Sequence, residues 1–135
     1  MDEKGPAELL DVRSDDDVVR ARRAAREVAI TAGLRLVDQT KFITAVSELA
    51  RNMTRYAGGG EIALAIVRDG GRRGVEATFA DQGPGIEDVE RAMRNGFTTG
   101  NGLGLGLGGA KRLVHEFRID TAPGSGTRVT VIMWG

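Results

Sequence analysis

Three groups of residues in this chain have the types and spacing that nucleotide chemistry requires. Glu48 and Asn52 stand four residues apart, and Asp81 opens the run Asp81-Gln-Gly-Pro-Gly85. Seven of the 20 glycines fall between positions 96 and 109, which makes that stretch a candidate phosphate-binding loop. Together, a carboxylate after a strand, a carboxylate and an amide on one helix, and a glycine-rich loop suit a magnesium-bound nucleotide.

Glu48 and Asn52 lie one turn apart on a predicted helix, at the border of its apolar face. An amide oxygen is a suitable neutral ligand for Mg²⁺, which keeps several phosphate or water oxygens. The neighbouring carboxylate can take a proton from an attacking hydroxyl or water. Taken alone, the pair is better explained as two polar residues on a helix surface.

Asp81 follows a predicted strand in the phase of Val75 and Phe79, so alternation places its carboxylate on the core face. A carboxylate in that position needs a hydrogen-bond donor, and the exocyclic amine of adenine is a suitable one. Gly83 and Gly85 allow a sharp turn and a close approach to a flat ring. A plain Asp-Gln-Gly-Pro-Gly turn explains the same residues equally well.

The glycine-rich stretch, about 95–108, is predicted to be a mobile loop that closes over phosphates and precedes a helix. It is not a Walker A loop, because it lacks Gly-Lys-Ser/Thr at the required offset. Alone, it could equally be a flexible linker. Further along, Thr127 shares the inward phase of Val129 and Val131, after the turn Gly124-Ser-Gly.

These residues must be positioned by a single domain spanning residues 1–135. Periodicity predicts helices from Ser14 to about Gly33 and over 37–57, with shorter ones at about 87–94 and 109–116. Strands are predicted at about 7–13, 61–68, 75–81, 117–122 and 126–134. The expected fold is α+β: a two-layer α/β sandwich with helices on one face of a mixed, mostly antiparallel sheet.

Composition favours a cytoplasmic protein that binds neither nucleic acid nor a membrane. Lys+Arg and Asp+Glu both number 19, so the charge balance attracts neither nucleic acid nor an acidic surface. Cysteine is absent, which excludes disulfides, thiolate metal sites and cysteine nucleophiles. No apolar run approaches the roughly 20 residues of a membrane helix.

In this order the motifs resemble those of the ATP-binding superfamily of gyrase B, Hsp90, histidine kinases and MutL (GHKL, the Bergerat fold). Glu48-Leu-Ala-Arg-Asn52 resembles the N box of that family, and the runs from Asp81, Gly102 and Gly124 resemble its three glycine boxes. Within the family the chain is most similar to the small serine/threonine kinases of bacterial stress signalling, of the stressosome switch-kinase type. The similarity includes Ser47–Asn52, Asp81–Ile86 and 96–99.

The resemblance implies that Asp81 binds adenine, that Asn52 holds Mg²⁺ and that Glu48 activates the acceptor hydroxyl. ATP and Mg²⁺ are the implied cofactors. The implied substrates are STAS-domain proteins, and a PP2C-type phosphatase or a sigma factor is a further candidate partner. The other residues implied at the ATP site are Gly83, Gly85, Ile86, Thr98, Thr99, Gly102, Leu103, Gly104, Leu105, Gly106 and Thr127.

Two other functions would use the same nucleotide site. An anti-sigma-factor kinase would also sequester a sigma factor, but Thr54-Arg55-Tyr56 departs from the His-Ala/Gly-Tyr-like ending often found there. A non-catalytic binding module is disfavoured by the presence of Glu48. A histidine kinase would need a phosphoacceptor, and the one histidine, His115, lies far from the motifs and is predicted to be structural. Arginines of the first helix, at 20, 22, 23 and 26, form either a partner-docking face or a solvated one.

Overall fold

The computed structural model describes residues 2–86, Met93 and residues 103–135. The strands are β1 (Asp2–Lys4), β2 (Glu8–Val12), β3 (Gly60–Asp69), β4 (Arg72–Asp81), β5 (Glu116–Thr121) and β6 (Thr127–Trp134), and the helices are α1 (Asp15–Thr31), α2 (Leu36–Ala57) and α3 (Leu103–Leu113). The described strands pair antiparallel, with β1 and β2 on one edge of β3 and the order continuing β4, β6, β5. The predicted α+β architecture is confirmed.

Local signals in the sequence account for the ends of the two long helices. The Ser14 side chain accepts a hydrogen bond from the Asp17 backbone N–H at 3.3 Å, and three aspartates occupy the first turn of α1. Acidic residues there stabilise the positive end of the helix dipole. α2 ends at Gly58, which adopts the left-handed conformation (φ 76°) that glycine takes without strain.

The core lies between the helices and one face of the sheet. From the sheet it includes Ile62, Leu64, Val75, Ala77, Phe79, Val129, Val131 and Met133, and from α2 it includes Phe42, Val46, Leu49, Ala50 and Met53. Asp81 and Thr127 continue the same inward phase at the ends of β4 and β6. This packing brings polar residues to the edge of an otherwise apolar layer.

The last helix begins earlier than the sequence predicts. α3 spans Leu103–Leu113 and not about 109–116, so residues 103–108 of the expected loop are helical. Alternating leucine and glycine gives no helical period, and each glycine costs roughly 1 kcal/mol in a helix. Packing of α3 against α2 offsets that cost, since Leu107 and Ala110 are buried. The predicted helix at 87–94 and loop residues 95–102 lie outside the described residues, apart from Met93.

No helix in the described part of the chain has the length and apolar character needed to span a membrane.

Candidate functional site

A narrow cavity lies between α2, α3 and the ends of β4 and β6. Its lining residues are Leu49, Asn52, Met53, Tyr56, Phe79, Asp81, Ile86, Leu107, Thr127 and Val129. The cavity has a volume of about 30 Å³, and most of its lining residues are apolar.

α2 delivers side chains to this cavity at successive helical turns. Asn52 is only 9% exposed and lines the cavity, and Tyr56 lies one turn further along the helix. Glu48, one turn before Asn52, is not among the described residues that line it. The Glu48 side chain is 38% exposed and accepts a hydrogen bond from Arg51 Nη1 at 3.1 Å. In the predicted pair, the Glu48 carboxylate is therefore accessible to solvent, whereas the Asn52 amide is buried.

Asp81 has the orientation that strand alternation predicts. As the last residue of β4 it lies opposite Thr127 of β6 and lines the cavity beside Phe79. Its Oδ1 accepts a hydrogen bond from the Gly83 backbone N–H at 2.9 Å. None of the hydrogen bonds found among the described residues uses Oδ2, so this oxygen remains suited to accept from a ligand.

The segment 82–86 is fixed from three directions. The Tyr56 hydroxyl donates to the Gly85 carbonyl at 2.9 Å, and the Gly124 backbone N–H donates to the Pro84 carbonyl at 2.6 Å. The Ile86 backbone N–H donates to Thr121 Oγ1 at 2.9 Å. Gly85 itself has φ 76°, and a Cβ there would collide with the Ala122 carbonyl oxygen. The glycine is therefore required by both its conformation and its packing.

Thr121 and Tyr56 are site residues that the sequence analysis did not assign. The Tyr56 hydroxyl binds the main chain of segment 82–86. Thr121 occupies the last inward position of β5, in register with Thr127. A hydroxyl on a predicted core face is the signal that identifies both, because such a group needs a partner when it is buried.

The glycine-rich stretch differs from its predicted form. Leu103, Gly104, Leu105 and Gly106 belong to the N-terminal part of α3 and are not in a loop. The backbone N–H groups of a helix's first turn have no partner within the helix, so they retain the capacity to bind an anion. Leu107, one turn later, lines the cavity. Thr98, Thr99 and Gly102 lie outside the described residues.

His115 lies between α3 and β5, and not on the helix predicted at about 109–116. Its Nδ1 accepts a hydrogen bond from the Trp134 backbone N–H at 2.9 Å. The imidazole thereby satisfies a main-chain donor at the end of β6 farthest from Thr127. This contact fits the predicted structural role and leaves His115 remote from the cavity.

Comparison with known proteins identifies the family of this chain. The profile described as histidine kinase-, DNA gyrase B-, and HSP90-like ATPase matches residues 37–134. The chain is 45% identical over 123 residues to the serine/threonine-protein kinase RsbT of Bacillus subtilis (strain 168), covering 91% of this chain and 92% of that protein. It is also 34% identical over 93 residues to an anti-sigma F factor of Caldanaerobacter subterraneus subsp. tengcongensis, covering 64% and 63% of the two chains.

Two solved structures share the fold. One contains the RsbU and RsbW domains of a Mycobacterium tuberculosis protein, with a TM-score of 0.66 and 23% identity, covering 96% of this chain and 32% of that one. The other is the SiaB–SiaC complex of Pseudomonas aeruginosa, with a TM-score of 0.55 and 16% identity, covering 98% and 91%. The family profile matches most of the chain, and the similarity to a serine/threonine-protein kinase extends over nearly all of it. The chain therefore belongs to the histidine kinase-, DNA gyrase B- and HSP90-like ATPases and is a serine/threonine-protein kinase.

Proposed function

We propose that this kinase transfers the γ-phosphoryl group of Mg-ATP to a serine or threonine of a STAS-domain protein, as a switch kinase of bacterial stress signalling. One observation carries the proposal. Asp81 and Asn52 come from separate parts of the chain and line one cavity, with the accessible Glu48 carboxylate a turn away on α2. An adenine-binding acceptor, an oxygen ligand for a cation and a candidate base thus belong to one continuous site.

Asp81 is the proposed adenine ligand. The exocyclic amine of adenine would donate to the carboxylate, while Phe79, Ile86 and Val129 contribute apolar contacts to the ring. The N-terminal turn of α3 is the proposed main-chain site for phosphate oxygens, because its N–H groups are unpaired within the helix. Thr98, Thr99 and Gly102 remain proposed pocket residues on the strength of the family resemblance alone.

Asn52 fits the role of the magnesium ligand. The described residues contain no cluster of three or more His, Cys, Asp or Glu side chains that could hold a metal without help. A single amide oxygen suits Mg²⁺, which takes most of its ligands from nucleotide phosphates and water. The ion, when bound, neutralises phosphate charge. We expect Asn52→Ala to remove the Mg²⁺ dependence of ATP binding, whereas normal Mg²⁺ dependence in this variant would contradict the assignment.

The proposed reaction is an in-line displacement at the γ-phosphorus. The acceptor oxygen forms a bond to phosphorus while the bond from phosphorus to the β–γ bridging oxygen breaks, and ADP leaves with that electron pair. Glu48 takes the proton of the attacking hydroxyl. Arg51, which holds Glu48 Oε1 at 3.1 Å, orients the carboxylate on the helix surface, where a protein substrate can reach it.

The direct experiment is transfer of labelled γ-phosphate from Mg-ATP to purified STAS-domain proteins encoded beside this kinase. We expect one of them to be labelled on serine or threonine, and Glu48→Gln to slow the labelling by about 10²- to 10⁴-fold. Thr54→Val is a matched control, because it removes a hydroxyl from α2 whose hydrogen bond goes only to the Arg51 carbonyl of the same helix. Tight ATP binding without any labelled STAS-domain protein would contradict the proposed substrate class.

The proposed docking surface for the protein partner is on α1. Arg22, Arg23 and Arg26 line one groove of about 190 Å³ with Val19 and Ile43, and Val19 is 51% exposed. None of the ion pairs in the described part of the chain engages these three arginines, whereas Arg20 pairs with Asp17. Cations beside an exposed valine suit an acidic partner surface with an apolar centre.

Reversing the charge of Arg22 and Arg26 tests this surface. We expect Arg22→Glu with Arg26→Glu to weaken partner binding while ATP affinity stays unchanged. The same reversal at Arg68 and Arg128, on the sheet, serves as the control. Unchanged partner binding in the α1 variant would exclude the surface.

Sequestration of a sigma factor is the second candidate function. The observation that favours it is the 34% identity to a protein named as an anti-sigma F factor. It predicts a stable, ATP-dependent complex with a sigma factor. Labelling of a STAS-domain protein with no sigma-factor complex would leave the switch kinase as the function, and activation of a PP2C-type phosphatase on adding the kinase would extend it.

A further inference from the structure

We propose that Thr121, a residue outside the nucleotide cavity, determines the base selectivity of the ATP site. This inference rests on the proposed binding of ATP beside Asp81. Thr121 of β5 lies opposite Thr127 of β6, which in turn lies opposite Asp81 of β4. The three side chains therefore form one row across three adjacent strands, on the face covered by the helices. Only Asp81 and Thr127 are among the residues that line the cavity.

The hydrogen bonds of Thr121 fix the direction of the Thr127 hydroxyl. Thr121 Oγ1 lies 2.9 Å from the Ile86 backbone N, 3.0 Å from the Gly126 carbonyl oxygen and 2.9 Å from Thr127 Oγ1. A hydroxyl has one hydrogen to donate and two lone pairs to accept with. The Ile86 N–H can only donate, and the Gly126 carbonyl can only accept.

One assignment satisfies all three contacts. Thr121 donates its hydrogen to Gly126 and accepts hydrogen bonds from Ile86 and from the Thr127 hydroxyl. In the reverse assignment Thr121 would donate its hydrogen to Thr127. The Thr121 hydroxyl oxygen and the Gly126 carbonyl oxygen, 3.0 Å apart, would then face each other without a hydrogen between them. The Thr127 hydrogen is therefore directed at Thr121 and away from the cavity.

The row thus offers only acceptors to a bound base. Thr127 contributes lone pairs, and the Asp81 carboxylate also accepts, with Oδ1 already holding the Gly83 N–H. Adenine carries an amine with two hydrogens at ring position 6, whereas guanine and hypoxanthine carry a carbonyl oxygen at that position. In the proposed pose both acceptors contact position 6 and not N1, which carries a hydrogen in guanine and hypoxanthine. There they satisfy the amine of adenine and oppose the oxygen of the other two bases, which is how a polar site rejects a close analogue.

Removing the Thr121 hydroxyl releases this constraint. In Thr121→Val the Thr127 hydroxyl has lost its acceptor and can turn to donate to an oxygen at position 6. The change also removes the acceptor of the Ile86 N–H, which affects all nucleotides alike. The ratio of two affinities therefore isolates the effect on selectivity from any general weakening of the site.

The test is a binding titration of the full chain with Mg-ATP and Mg-ITP, and with Mg-GTP as a second 6-oxo nucleotide. ITP carries the position-6 oxygen without the 2-amino group of guanine. We expect the unaltered protein to prefer ATP and Thr121→Val to lower the ATP/ITP preference by roughly tenfold, the weight of about one hydrogen bond. Thr121→Ser keeps the hydroxyl and should keep the preference, as should the control Thr130→Val on β6.

Two results would overturn the proposal: a Thr121→Val protein that binds ATP with unchanged preference, or a Thr121→Ser protein that loses the preference as fully as valine does. Should Thr121→Val fail to fold, the unaltered protein still decides, since equal affinity for ATP and ITP contradicts an acceptor-only row. Failure to bind any nucleotide would instead refute the ATP site itself, a result distinct from binding without selectivity.

Discussion

The two ends of the β4–β6 strand pair use polar groups in opposite ways. At one end Asp81 lies opposite Thr127 beside the narrow cavity, and at the other Gly74 lies opposite Trp134. At the Trp134 end, protein groups bind one another. The indole N–H donates to Glu116 Oε2 at 2.5 Å, and the Arg72 guanidinium carbon lies 4.1 Å from the centroid of the indole ring.

Cavity size alone would favour the Trp134 end. The groove beside Trp134 encloses about 580 Å³ and is far larger than the cavity beside Asp81. Its cations, however, are already paired: Arg35 with Asp38, and Arg72 with Asp69. Polar groups that satisfy each other stabilise a fold, whereas a carboxylate directed into an apolar cavity is suited to bind a ligand. The following predictions test this division between the two ends.

Glu48→Gln should have the largest effect on function. It should slow catalysis without weakening ATP binding. Loss of the proposed base is expected to slow phosphoryl transfer by about 10²- to 10⁴-fold. ATP affinity should stay within about twofold of normal, because Glu48 does not line the cavity. Single-turnover transfer measured beside equilibrium ATP binding separates the two. A variant with full transfer activity would rule out the base role.

Trp134→Ala should destabilise the protein without changing its affinity for ATP. Removing a buried tryptophan typically costs about 3–5 kcal/mol, and here the indole also binds Glu116 and Arg72. Thermal or urea unfolding should show the loss, and ATP affinity, measured where the variant is folded, should be unchanged. Trp134→Phe, which keeps an aromatic ring, should cost less. A selective loss of ATP affinity would contradict the separation of the two ends.

Asp81→Asn should affect nucleotide binding and leave the fold intact. The asparagine Oδ1 can still accept from the Gly83 N–H, but its amide group would face the adenine amine donor to donor. A lost hydrogen bond to a charged group corresponds to a fall in ATP affinity of roughly ten- to a hundredfold. Calorimetric titration measures this change. Unaltered affinity would refute the adenine assignment.

Tyr56→Phe should have the smallest effect, through the position of segment 82–86. The ring remains, but the buried Gly85 carbonyl loses its donor at 2.9 Å. We expect KM for ATP to rise by roughly two- to tenfold with little change in kcat. Thr54→Val, on the same helix, should leave both constants unchanged. A fall in thermal stability with normal KM would show that Tyr56 only supports the fold.

Periodicity and turn signals were sufficient to predict most of the fold. The Ser14 cap, the stop at Gly58 and the Asp69-Gly-Gly hairpin all act locally, so each can be recognised in a few residues. The inward phase of Asp81 follows from strand alternation for the same reason. The start of α3 could not be predicted this way, because burial of Leu107 against the core overrides the poor helix propensity of the glycines.

Two motif residues that line the cavity could be predicted from the sequence, but the residues that hold the surrounding segments in position could not. Asn52 and Asp81 carry recognisable spacing, and both line the cavity. Tyr56 and Thr121 act through hydrogen bonds to residues 29 and 35 positions away. Such contacts depend on strand register and helix packing, which no local pattern contains. The row that Thr121 forms with Thr127 becomes visible only when β5 is paired with β6.

The most direct test of the account is a backbone amide NMR spectrum recorded during titration with Mg-ATP. If the Asp81 end binds the nucleotide, the largest shifts should fall on Gly83, Ile86 and Thr127, while Gly74, His115 and Gly135 should barely move. Shifts concentrated in the wide groove beside Trp134 would contradict the assignment of the site, and a spectrum unchanged by saturating Mg-ATP would contradict ATP binding altogether.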